Sequence, residues 1–152
     1  MANKFFPVSI DLNDKNILVI GAGKISLRKI ETLLKYNCNI TVITKEVLEE
    51  KFFDLEKDDK IKILKNQEFE EKFLENIFLV IAATDDEVLN KNISQLCMSK
   101  NILVNEITSK DDMNVRFASI YEKDDIQIAI SANGNPKKAV EIKHKIKDIF
   151  EK

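Results

Sequence analysis

Apolar residues along this chain form short unbroken runs, and between the runs they recur every three or four positions. The run 16–20 (NILVI) is apolar at both parities and stops at a glycine, the pattern of a strand covered on both faces of a parallel sheet. A shorter strand entry precedes it at 8–11. Behind the glycine, Ser26, Ile30, Leu33 and Leu34 share one face of a helix over 24–35. A strand at 40–43, a helix over 46–55 striped by Leu48, Phe52 and Leu55, and a strand at 61–64 complete one βαβαβ half. A short helical stretch near Phe69 and Phe73 leads into a second buried run, 78–83 (FLVIAA). It ends at Thr84-Asp85-Asp86, short polar side chains suited to capping a helix. That helix carries Leu89, Ile93, Leu96 and Cys97 on one face. Strands at 101–107 and 126–131 follow, then a closing helix striped by Ala139, Ile142, Ile146 and Ile149, while 110–121 shows no clear period. Strands joined by helix-length crossovers predict an α/β fold, a doubly wound parallel sheet with a short C-terminal extension of strand and helix.

A chain of 152 residues suits a single domain, with about 1–110 as the sheet core and 111–152 as an extension for substrate or dimer contacts. Its hydrophobic fraction of 44% and charged fraction of 33% are those of a soluble globular protein. A formal charge of −2 supplies no global field for nucleic acid or an anionic membrane, so neither is expected as a partner. No basic stretch followed by an apolar leader occurs, and no apolar run approaches the ~20 residues of a bilayer span, so the expectation is a cytoplasmic protein. Cys38 and Cys97 lack the spacing of a metal or redox motif and read as core thiols.

The segment NILVIGAGKIS is a strand, then G-x-G-x-x-S, then an amphipathic helix, which is the context a dinucleotide-binding turn requires. Gly21 permits the tight turn, Gly23 leaves room for a pyrophosphate to approach the backbone, and Ser26 is small enough for helix and strand to pack closely. Gly21, Ala22, Gly23, Lys24 and Ile25 are therefore candidate cofactor contacts, the free N–H groups of the helix start facing the phosphates. The end of the second strand, where an acid normally accepts the ribose 2′-hydroxyl, holds Thr44, Lys45 and Glu46. Lys45 would tolerate a 2′-phosphate and Glu46 would reach a ribose, so NAD and NADP both stay open. Thr84 and Asp85 end the strand across the switch point, either as cofactor contacts or as helix caps.

Further residues extend the pattern: Phe6-Pro7-Val8, Arg28-Lys29 behind the glycine turn, Ala82-Ala83-Thr84-Asp85-Asp86, Val104-Asn105, the segment 117–120, and Ile130-Ser131 before Gly134 and Pro136. Through them the chain resembles, over almost its whole length, the precorrin-2 dehydrogenase domain of siroheme synthases. The resemblance implies a Rossmann-type domain in which NAD takes a hydride from precorrin-2 to give sirohydrochlorin, some relatives also inserting ferrous iron. It implies cofactor contacts at Lys24-Ile25 and near Lys45-Glu46. Substrate contacts are expected at Asn105, Arg116 and Ser131, with Arg28, Lys110, Lys137 and Lys138 as further cations for a substrate rich in carboxylates.

Departures from the family pattern leave the catalytic residue unassigned. Thr108 stands where the family carries an aspartate, Ala132 replaces a serine, and the turn at Gly134-Asn135-Pro136 is shortened. Asp111 and Asp112 are the nearby carboxylates able to substitute for a base. His144, the single histidine, reads as a solvent-facing residue of the closing helix, and no metal site is expected. The chain ends at Lys152, where relatives continue into a helical region. A homodimer through Ile146, Ile149 and Phe150 would complete the pocket. The alternative is a non-catalytic NAD-binding module, a sensor or a partner subunit of a tetrapyrrole enzyme.

Overall fold

The computed structural model describes residues 2–152. They form two compact units, the first ending at Val115 and the second running Arg116–Lys152. In the first, β1 (Asn16–Ala22), β2 (Asn39–Val47), β3 (Lys62–Leu64), β4 (Leu79–Ala82) and β5 (Leu103–Glu106) make one parallel sheet in the order β3-β2-β1-β4-β5. The chain first winds outward from β1 on one side and then restarts at β4 on the other, so β1 and β4 flank the switch point where such sheets bind ligands. Both faces are covered, as the unbroken apolar runs require. Leu18, Ile20, Val80, Ala82 and Val104 point to one face and pack with Ile93 and Cys97 of α3 (Glu87–Ser99). Residues of the opposite parity, Ile17, Val19, Val42 and Ile81, are also fully buried. So are Ser26, Ile30 and Leu33 of α1 (Lys24–Leu33).

Two local expectations are corrected. Residues 8–11 form no strand: Val8 and Ile10 are exposed and meet no ladder. β2 runs to Val47 rather than 43, and α2 (Lys51–Lys57) starts late, leaving Leu48 exposed. The physical reason is at the end of β1, where the Ala22 carbonyl accepts the Leu48 N–H at 3.0 Å and keeps the chain extended. The expected helical stretch near Phe73 is a 3-10 turn, Glu71–Leu74.

Asn114 covers the outer edge of β5. Its Oδ1 accepts the Val104 N–H at 2.6 Å, its Nδ2 donates to the Ile102 carbonyl at 3.0 Å, and the Asn114 and Val115 N–H groups donate to the Val104 carbonyl at 3.2 Å, so this short segment takes the place of a neighbouring strand. The second unit is an antiparallel hairpin, β6 (Ser119–Lys123) and β7 (Ile126–Ile130), followed by α4 (Pro136–Phe150). The strand expected at 126–131 thus pairs with β6, which the sequence pattern did not reveal. Turns depend little on glycine: Asp14, Asp59, Asn66, Asn76, Asn101, Asp124 and Asn133 all adopt the left-handed conformation.

One half-buried cation gives the stability a pH dependence. Desolvation lowers the Lys29 ammonium on α1 from 10.5 to about 8. Below pH 8 the group is charged in both states and the folded state carries the full desolvation cost; above 10.5 it is neutral in both. Between these values the unfolded chain binds more protons, so stability rises with pH, by at most ~3 kcal/mol. Urea titrations across this window should show the rise, and Lys29→Met should flatten it while raising stability at pH 7. Parallel profiles for the two proteins would show that Lys29 is not the cause.

Candidate functional site

The site is built where β1 turns into α1. Gly21 has φ +106°, and a Cβ there would lie 2.2 Å from the Ala83 carbonyl oxygen. Glycine is therefore demanded twice, by conformation and by the closeness of β4. Gly23 differs. Its φ of −105° suits any residue, and an added Cβ would have only Leu48 Cδ1 near it, at 3.9 Å. Nothing within the protein requires glycine at 23, which fits a ligand that must reach the backbone. Gly23 is also the N-cap of α1 with no side-chain cap, and no acid lies in the first turn. The helix thus presents its early N–H groups and positive dipole end beside Lys24 and Ile25, both exposed. Ser26 is buried and its hydroxyl donates to the Gly23 carbonyl at 2.9 Å, fixing the turn from below. These residues fit a dinucleotide pyrophosphate.

At the second strand the ribose position is a bulge. The ladder pairs Ile20 with Ile43 and then Ala22 with Val47, so Thr44, Lys45 and Glu46 arch out of register. Thr44 is buried and holds the arch, donating to the Glu46 carbonyl at 2.5 Å and accepting the Glu46 N–H at 3.2 Å. Lys45 meets Glu68 at 2.9 Å. The hydrogen bond and charge of Glu68, with smaller contributions from Asp85 and Asp86, hold the Lys45 ammonium above its ordinary value.

Across the switch point, Thr84, Asp85 and Asp86 divide the work. Asp86 caps α3, accepting the Leu89 N–H at 3.0 Å. Thr84 is held by Asn90, which the sequence reading missed: Asn90 Oδ1 accepts the Thr84 N–H at 3.0 Å and hydroxyl at 2.6 Å, and Nδ2 donates to the Thr84 carbonyl at 3.0 Å. The signal was available, because Asn90 sits on the apolar stripe of α3 with Ile93 and Cys97 and is fully buried. Asp85 stays exposed at the rim.

Next to this loop, Ile107 N–H donates to the Ala82 carbonyl at 3.2 Å, which brings the end of β5 to the same end of the sheet. Asn105 is buried; its Nδ2 donates to the Val115 carbonyl at 3.0 Å, and its Oδ1 meets no donor among the described residues. Glu106, also missed, is a carboxylate with 1% exposure. Its parity with Val104 puts it on the core face, and a charge at a core position is the sequence signal that was overlooked. The Thr108 N–H donates to Glu106 Oε1 at 2.6 Å, the Thr108 hydroxyl donates to the same oxygen, and the Ser109 N–H donates to Oε2 at 2.8 Å. Asp112 instead faces Lys91 at 3.8 Å, and its carbonyl accepts the Ser94 hydroxyl. The Asp111 carbonyl accepts from Lys4 at 2.5 Å.

In the second unit Arg116 and Ser131 flank one end of the hairpin, where Ser119 pairs with Ile130. A Cβ on Gly134, at φ +78°, would lie 3.4 Å from the Arg116 guanidinium carbon, so the shortened turn carries the arginine against its backbone. His144 is exposed on α4. Among the described residues no three of His, Cys, Asp and Glu gather as metal ligands, and no helix is long and apolar enough to cross a membrane.

A strand order of 3-2-1-4-5 with an open glycine turn at its switch point defines a nucleotide-binding domain of the Rossmann type. The chain belongs to the NAD_binding_7 family, described as "Putative NAD(P)-binding", whose profile matches residues 8–119. It is 38% identical over 130 residues to the siroheme synthase of Mannheimia succiniciproducens and 39% identical over 130 residues to that of Buchnera aphidicola. Each match covers 86% of this chain and 27% of the relative, so the chain spans about a quarter of their length. Among solved structures it matches SirC, precorrin-2 dehydrogenase, with a TM-score of 0.82 and 26% identity, over 95% of this chain and 70% of that one. The family resemblance and the fold expected from the sequence are both borne out.

The two glycines should separate experimentally. Gly21→Ala should lower stability by about 2 kcal/mol or more, since its Cβ meets backbone and its φ is strained. Gly23→Val should keep the far-ultraviolet dichroism and melting of the parent yet lose NAD binding in calorimetry. Unchanged NAD affinity in Gly23→Val would remove the pyrophosphate from this turn.

Proposed function

We propose that the chain is an NAD-dependent dehydrogenase that oxidises precorrin-2 to sirohydrochlorin in siroheme synthesis, acting in the cytoplasm. The observation that carries this reading is the glycine turn, built with open space at Gly23 and an uncapped α1, in a chain that superposes on a precorrin-2 dehydrogenase. Bound NAD supplies the hydride acceptor. Gly21, Ala22, Gly23, Lys24 and Ile25 hold its pyrophosphate, and the arch of Thr44, Lys45 and Glu46 lies at the adenosine ribose. Asn90 fixes Thr84, so the wall facing the nicotinamide half is rigid before the cofactor arrives. Thr84 and Asp85 line that wall.

Charge at the arch favours NAD over NADP. Lys45 is the cation available to a 2′-phosphate there, but it is held by Glu68 and surrounded by Asp85 and Asp86. A further phosphate would enter a region whose positive charge is already matched. In the second unit Arg116 and Ser131 serve the tetrapyrrole, the guanidinium suited to bidentate pairing with a carboxylate. The protein assembles as a homodimer: Ile149 and Phe150 at the end of α4 are exposed large apolar residues that a second copy would cover, with the half-buried Ile146 beside them.

Anaerobic incubation with precorrin-2 and NAD should yield NADH and sirohydrochlorin in equal amounts; no NADH above the protein-free control would overturn the reading. Kinetics with NADP in place of NAD should be weaker, and the double variant Glu68→Gln/Asp85→Asn should narrow the preference severalfold by freeing Lys45. Equal use of both cofactors by the parent would refute the charge argument. Sedimentation should give the dimer mass.

A further inference from the structure

Nucleotide binding leaves Glu106 unused, although burying a carboxylate costs several kcal/mol unless its oxygens are satisfied. Satisfaction comes from Thr108 and Ser109, through two backbone N–H groups and the Thr108 hydroxyl. The two N–H bonds alone would brace the turn after β5, and a neutral side chain would accept them at lower cost. The hydroxyl bond has a different geometry. Thr108 is exposed while Glu106 is 1% exposed, so this hydroxyl links a hidden carboxylate to the surface. A hydroxyl that donates inward keeps its oxygen lone pairs for a donor outside. The Ile107 to Ala82 bond sets it at the end of the sheet that carries the glycine turn. Asp112 is less suited, turned toward Lys91 and tied to α3 by Ser94.

We propose that Thr108 and Glu106 form a two-residue proton relay for the dehydrogenation, an assignment that rests on the function proposed above. In the step, a substrate C–H bond breaks and its hydride leaves to bound NAD. A substrate N–H bond breaks and its proton passes to Thr108 Oγ1 as the hydroxyl proton moves to Glu106 Oε1. The substrate loses two hydrogens and gains one double bond, NAD is reduced to NADH, and Glu106 ends protonated. The proton then returns to solvent through Thr108 by the same bonds. Thr108 is the catalytic residue, and Glu106 is the positioning residue that makes its oxygen basic.

The test uses the full chain with precorrin-2 and NAD under anaerobic conditions. Thr108→Val, an isosteric change at an exposed position, should reduce kcat by on the order of 10²-fold, the lower end for a general base. Its KM for precorrin-2 and its NAD affinity by calorimetry should stay within about twofold of the parent. Thr108→Ser should recover turnover. In single-turnover infrared difference spectra the parent should show a new protonated-carboxyl band, absent in Thr108→Val and in Glu106→Gln. Should Glu106→Gln fail to fold, Thr108→Val and its spectrum decide the matter. An active parent with an equally active Thr108→Val, or with no carboxyl band, would overturn the relay and leave the dehydrogenase reading standing. A parent that forms no NADH would overturn both.

Discussion

Everything at the ligand end of the sheet depends on how closely β1 passes β4 at Gly21. A side chain there would overlap the Ala83 carbonyl at 2.2 Å, so the two strands are as near as backbones can come where the winding reverses. At that close pass the chain turns into α1, whose first N–H groups have no side-chain cap. Asn90 then secures Thr84 from behind through three hydrogen bonds. Gly21 and Asn90 thus order the two loops that meet at the switch point.

Beyond β4, the edge of the sheet is managed by polar side chains rather than by another strand. Asn114 completes the ladder of β5, Asn105 ties down Val115, and Glu106 folds the following turn onto itself. A sheet edge closed this way offers little backbone for a foreign strand to pair with. It also places polar atoms deep beside the site, including an Asn105 Oδ1 without a protein donor. Such an atom is costly to leave unmatched.

Most of the sheet was legible because strands buried on both faces leave unbroken apolar runs, as at 16–20 and 78–83. The glycine turn was legible for a different reason: Gly21 admits no side chain, and Gly23 is kept bare although nothing in the protein demands it. Three features were not. The extension of β2 arises from a single backbone bond between Ala22 and Leu48, which no side-chain period encodes. β6 is five residues long, with Ser119, Glu122 and Lys123 diluting its alternation. Glu106 and Asn90 carry no motif, because they stand at core positions within regular elements rather than in loops.

The left-handed Asn and Asp residues have a consequence for the unfolded chain. Seven described turns take this conformation without glycine, and only Gly21 and Gly134 use glycine for it. An unfolded glycine samples far more backbone conformations, and fixing it costs roughly 0.5–1 kcal/mol more than fixing an alanine. Connectors made from Asn and Asp start with less freedom to lose, at the expense of mild local strain in the folded form. The linkers between strands and helices thus give up less backbone freedom on folding than glycine linkers in the same turns would.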